Sequence, residues 1–207
     1  MSKQVHQDSS MSVTLLLITI NIVVSLAAFT MPRIMETGMF VPYRTLRNNT
    51  WYELITSGFL HGGYIHLAFN MIILFFFGPV LERTIGEIHF LILYVTGLLA
   101  SSVPSLLRHK DNPAYATIGA SGAVESVLFA FIVIFLFEPI YLMLIPIGVP
   151  AVIFGALFVG YSIWASKKEG KINHEAPIGG ALWGLIYMFA FVPSTTDHFL
   201  TIIGFYG

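Results

Sequence analysis

The sequence predicts an all-α membrane protein: a bundle of six transmembrane helices whose first loop lies in the membrane interface. Three observations carry that expectation. Of the 207 residues, 56% are hydrophobic and only 10% are charged, whereas a soluble domain carries about 25% charged residues. Mean hydropathy is +0.80, so too few polar side chains exist to cover a water-facing surface. The apolar residues also fall in long runs, and roughly 20 such residues are needed to cross a bilayer as a helix.

The spans follow in order as Met11–Met31, Tyr64–Leu81, His89–Leu107, Ser121–Phe137, Val149–Ala165 and Ile178–Val192, the last limited by Pro193. The polar segment 1–10 precedes them, 11–192 is one membrane domain, and 193–207 is a tail that lies along the interface. The first run is too long for a signal-peptide core and lacks a small-residue cleavage pattern, so it reads as a retained span. Between spans one and two, Pro32–Gly63 mixes Phe40, Tyr43, Trp51, Tyr52 and Phe59 with polar residues, which suits the headgroup region. Ile140–Gly148 reads either as a tight turn or as the start of span five. No repeat or low-complexity tract divides the chain.

Several function classes are excluded or weakened by composition. A net charge of −1 gives no electrostatic footprint for a nucleic-acid partner. The absence of cysteine removes disulfides, thiolate metal sites and cysteine nucleophiles. The basic residues are lopsided. Lys3 and Arg83 fall on the N-terminal side, while Arg33, Arg44, Arg47, Arg108, Lys110, Lys167, Lys168 and Lys171 fall on the other, which the positive-inside rule places in the cytoplasm.

Polar groups at membrane depth are the candidate site, because lipid leaves them no other partner. Span two opens "HGGYIHLAFN". His66 and Asn70, at i and i+4, share a helical face, and His61 lies just before that face. They either tie helices together by hydrogen bonds or form a site. As metal ligands they are a thin set without a paired carboxylate. Span four opens "GASGAVESVLFA". Ser121 there is either part of a small-residue packing seam with Gly119 and Ala123, or a nucleophile at a helix N-terminus whose free amides can stabilise an oxyanion. Glu125 lies one turn deeper. A carboxylate near a span centre costs about 2.5–3.5 kcal/mol, which makes Glu125 a functional candidate by default. Span six carries Gly180 and Gly184 in a GxxxG pair that invites a close neighbour, and span four, with its own small residues, is the natural one.

With these segments side by side, the sequence resembles the rhomboid family of intramembrane serine proteases over Trp51–Gly184. "WYELITSGFLHGGYIHLAFNMIILFFFGPVLERTIG" resembles the family's first loop and second span, "GASGAV" its Gly-x-Ser-Gly nucleophile motif, and "APIGGALWG" its Ala-His-x-x-Gly-x-x-x-Gly motif. The resemblance implies a six-helix bundle around a water-filled cavity, in which a serine–histidine dyad cleaves transmembrane segments of membrane proteins. It assigns Ser121 as nucleophile, and His66, Asn70 and the Ser121 amide as the oxyanion hole. His61 supports that hole and Gly119 shapes the nucleophile loop. No metal or organic cofactor is implied. The family's active-site mouth faces away from the cytoplasm, opposite to what the loop charges imply.

Three residues depart from the pattern. With Gly180 and Gly184 on the motif's glycines, Pro177 stands where the catalytic histidine belongs. Glu125 occupies a position often Tyr or Ser, and Glu53 one that is often Arg. A serine hydroxyl needs a base within about 2.6–3.2 Å, and proline offers none. His174, about one turn nearer the loop, is a candidate displaced base. Glu125 is a poorer one, since an i+4 carboxylate points along the helix. Three readings result: a protease with a displaced base, a pseudoprotease that binds transmembrane segments without cutting, and a small transporter or channel using His61, His66, Asn70 and Glu125 as a polar path.

Overall fold

The computed structural model describes residues 12–141, 148–169 and 175–205. Helix α1 (Val13–Thr30) leads into a first loop built from α2 (Pro32–Gly38), α3 (Pro42–Asn48), α4 (Glu53–Thr56) and a 3-10 turn (Ser57–Phe59). Prolines open α2 and α3, where the missing N–H has no intrahelical partner to lose. Helices α5 (Tyr64–Ile85) and α6 (Glu87–Arg108) follow, joined at Gly86. After the 109–120 loop comes α7 (Ser121–Ile134), then a hairpin of β1 (Pro139–Tyr141) and β2 (Gly148–Pro150) in the register Pro139↔Pro150, Ile140↔Val149 and Tyr141↔Gly148. The chain ends in α8 (Ala151–Glu169), α9 (Glu175–Phe191) and α10 (Thr195–Ile202).

Helix α7 is the axis of the bundle. Every residue from Gly122 to Val133 except Phe129 is buried, and α7 packs against α9, α6 and α5. The outer helices reverse the pattern of a soluble protein: Ile65 is 87% and Ile88 75% exposed, an apolar surface that suits lipid. By length and composition, α1, α5 and α6 can each cross a membrane. Helices α9 and α10, bent by 111° at Pro193–Ser194, make a fourth crossing if taken as one span.

Polar side chains join the outer helices. The Glu82 carboxylate, buried on α5, accepts Ser12 Oγ (2.7 Å), Val13 N–H (2.8 Å), Thr14 N–H (2.9 Å) and Thr14 Oγ1. It thereby supplies acceptors to the first amides of α1, which have none within their own helix. Asn21 Nδ2 donates to Tyr94 Oη at 3.1 Å, linking α1 to α6.

Several boundaries differ from the sequence expectation. Span two runs on to Ile85, because α1 satisfies Glu82. Span four stops at Ile134, not Phe137, since the chain turns there into the hairpin and Pro139 cannot continue a helix. Span five starts at Ala151 because Val149 is a strand residue. Ile140 and Gly148 lie in paired strands, which favours the turn alternative; 142–147 lie outside the described residues. Span six starts at Glu175, with Pro177 in its first turn. In the first loop, Trp51 and Tyr52 are about half exposed, as expected for an interface, but Phe40 is fully buried. It forms a bridge with Thr117 and belongs to the packed interior.

Candidate functional site

The turn before α7 is held by the first loop. Phe40 N–H donates to Thr117 O (3.0 Å), Thr117 N–H returns to Phe40 O (2.9 Å), and Gly119 N–H donates to Ser57 O (2.9 Å). Gly119 has φ +125°, a left-handed conformation that favours glycine. It also has no room for a side chain: a Cβ would start 2.8 Å from His66 Cε1 and 3.1 Å from His66 Nε2. The structure therefore brings the His66 ring against the backbone two residues before Ser121.

Ser121 is the first residue of α7 and is partly exposed. Val124 N–H donates to Ala120 O at 2.9 Å, so the amides of Ser121, Gly122 and Ala123 have no acceptor within the helix. His66 Nδ1 accepts Gly62 N–H at 3.4 Å. A neutral imidazole carries one proton, and this bond leaves it on Nε2, which with Cε1 forms the ring edge nearest Gly119. Asn70, one turn on, donates from Nδ2 to His66 O at 3.1 Å.

His61 packs edge to face on His66, with ring centroids 5.0 Å apart. Ser25 Oγ lies 2.8 Å from His61 Nδ1 and 2.9 Å from Phe59 O. The single hydroxyl proton goes to the carbonyl, so His61 donates from Nδ1. Burial, aided by the neighbouring His66, pushes the His61 imidazole down to about 3, and it is neutral at physiological pH.

Helix α9 meets α7 backbone to backbone. A Cβ on Gly180 would lie 2.2 Å from Gly122 O, and one on Gly184 2.4 Å from Ser126 O. Ser126 Oγ spans the seam and lies 2.9 Å from Gly180 O. On the third side Ser101 of α6 fits between the helices, next to Gly122 and Gly179. This contact fixes the register of α9 on α7. It sets Ala176 O beside Gly122 and the buried Pro177 next along the chain. The sequence expectation that spans four and six are neighbours describes this seam. Glu125 is buried on α7, 1% exposed. His174 lies outside the described residues.

The residues brought together at the start of α7 are thus Gly119 and His66, with His61 packed on the His66 ring and α9 entering from the other side; Asn70 lies one turn further along α5. Ser101 and Ser126, both buried in the seam, are absent from the sequence reading; a lone serine in an apolar run gives no signal of which helix it faces. Among the described residues, no three His, Asp or Glu side chains cluster as metal ligands.

The rhomboid domain family model matches residues 48–194. The chain is 31% identical over 139 residues to Rhomboid protein 1, mitochondrial, of Saccharomyces cerevisiae, covering 65% of this chain and 40% of that protein. It is 29% identical over 163 residues to RHOMBOID-like protein 12, mitochondrial, of Arabidopsis thaliana, covering 71% and 48%. With Rhomboid protease GluP of Bacillus subtilis the identity is 30% over 135 residues, covering 65% and 25%. The chain spans about half the length of the curated relatives it matches.

Proposed function

The chain belongs to the rhomboid family and is an integral, multi-pass membrane protein, and from that premise we propose that it engages transmembrane segments of other membrane proteins at the Ser121 site with proteolysis strongly impaired. In this reading α1, α5, α6, α7, α8 and α9 are six crossings. His66 Nε2–H, Asn70 and the Ser121 amide face the oxyanion position, His61 braces the His66 ring, and Gly119 keeps the approach open.

The observation that carries the proposal is Pro177 in the first turn of α9. The glycine seam fixes that turn against Gly122, and α9 has no histidine anywhere in Glu175–Phe191. Without a proton acceptor the Ser121 hydroxyl is a weak nucleophile. Loss of the base in serine proteases costs on the order of 10⁴- to 10⁶-fold, and the oxyanion hole alone sustains only a residual rate.

The preserved Gly119–His66 contact favours a second reading, a working protease with His174 as displaced base. A fluorophosphonate probe separates the two. The pseudoprotease reading expects no labelling of the natural chain and gain of labelling in Pro177→His, lost again when Ser121→Ala is added. Labelling of the natural chain at Ser121, abolished by His174→Ala, would establish the second reading instead.

A further inference from the structure

We propose that the Arg44–Glu53 pair is the positioning element of the Gly119–Ser121 turn, acting on it through residues 36–41 of the first loop. The inference rests on the reading of Ser121 as the site only for its functional meaning; the mechanical link stands on its own.

Glu53 is fully buried and both its carboxylate oxygens have hydrogen-bond partners. One oxygen accepts Arg44 Nε at 2.6 Å; the other accepts Val41 N–H at 2.9 Å and lies 3.2 Å from Thr45 Oγ1, whose one proton is shared with Val41 O at 3.1 Å. The Arg44 guanidinium reaches in the opposite direction, donating from Nη1 to Glu36 O (3.1 Å) and from Nη2 to Met39 O (3.0 Å). The pair therefore fixes the backbone on both sides of Phe40, the residue whose N–H and C=O both bond Thr117.

A second path closes the loop. Thr56 Oγ1 donates to Gly38 O at 2.9 Å, and the adjacent Ser57 carbonyl receives Gly119 N–H. Residues 36–41, 53–57 and 117–119 are thus one cross-braced unit ending two residues before Ser121. With Glu53 fully buried and the Arg44 side chain 31% exposed, desolvation of the carboxylate offsets much of the pair's attraction, which makes it a poor source of net stability. Its planar donor fork instead fixes direction, which a turn carrying a reactive residue needs. The nearby Arg47–Asp111 contact, 3.7 Å long with both side chains more than half exposed, lacks this anchoring and serves as a control.

Amide hydrogen exchange on the full chain in lipid nanodiscs tests the link. Glu53→Gln and Arg44→Gln are each expected to speed exchange at Thr117 and Gly119 about tenfold or more, as local opening loses charge-assisted bonds, with α6 unchanged. The double variant is expected to match the singles, because both remove one coupled unit. Arg44→Lys keeps the charge without the fork, is the milder change should the others fold poorly, and is expected to loosen the same two amides. Arg47→Gln is expected to leave them as they were. Unchanged exchange at Thr117 and Gly119, additive singles, or acceleration spread evenly over α5, α6 and α7 would overturn the proposal. Exchange is read whether or not Ser121 reacts, so fluorophosphonate labelling of the same preparations judges the reading of the site separately.

Discussion

Replacing Gly180 by alanine adds one methyl group where the structure has no space for it. The new Cβ would lie 2.2 Å from Gly122 O and 2.9 Å from Gly122 C and Cα, the first more than an ångström inside ordinary contact. All three are backbone atoms on the most buried helix, so no side chain can rotate away, and α9 must separate from α7. Overpacking of this kind costs about 1–3 kcal/mol. Separation also stretches the Ser126 Oγ contact with Gly180 O, and an interhelical hydrogen bond in a membrane protein adds about 0.6 kcal/mol on average. Alanine's lower backbone entropy cost returns about 0.5–1 kcal/mol, so a net loss of about 1–3 kcal/mol is expected on these grounds. Gly160→Ala on α8 is the matched control, because among the described residues nothing lies within 4 Å of its added Cβ. There the helix gains about 0.5–1 kcal/mol from alanine's lower backbone entropy cost. Steric-trapping measurements of unfolding in bicelles would read both. Equal stability of the two variants would refute the claim that the α7–α9 seam is closed to one carbon atom.

Three further outcomes are expected. Glu82→Gln weakens the bonds from Ser12, Val13 and Thr14 and lowers stability by about 2–3 kcal/mol, readable in the same trapping assay; a change below measurement error would show that α1 is held by packing alone. His61, held near 3 against an unfolded value of 6.5, takes up its proton mainly on unfolding, so its contribution is full above pH 6.5 and falls as pH drops towards 3, by up to about 1.4 kcal/mol per pH unit. His61→Gln should flatten that part of the stability–pH curve, and an unaltered slope would count against the burial argument. Gly119→Ala meets both the +125° φ and the His66 ring, and should abolish fluorophosphonate labelling of a Pro177→His background while Gly63→Ala, with open space around it, does not.

Much of the frame was legible from hydrophobic run length. The sequence expects span one at Met11–Met31 and the helix runs Val13–Thr30, because no proline or charge interrupts its apolar run. The α7–α9 contact was legible too, since small residues at i and i+4 on two spans leave few other ways to bring backbones together. Misplaced ends have local causes: the partner of Glu82 is far away in sequence, and the hairpin after Ile134 comes from Pro139 and tertiary pairing. The aromatics mark the first loop as interfacial, yet Phe40 is buried by a bridge to a segment 77 residues later. The role of Glu53 could not be read at all. Its partner Arg44 lies nine residues upstream, a spacing that matches no helical or strand period and becomes a contact only after three short helices fold together.

Helix α7 has 14 residues, which at 1.5 Å per residue is about 21 Å, against roughly 30 Å of hydrocarbon. In the proposed reading, where α7 is one of the crossings, the shortfall appears as a recess at one end of the helix or is shared between both. If it lies at the Ser121 end, the hydroxyl sits several ångströms beneath the headgroups, and whatever meets it must descend through a wetted shaft or slip in sideways from the lipid. Bilayer thickness would then regulate that encounter, with thin membranes bringing the serine nearer to bulk water and thick ones burying it.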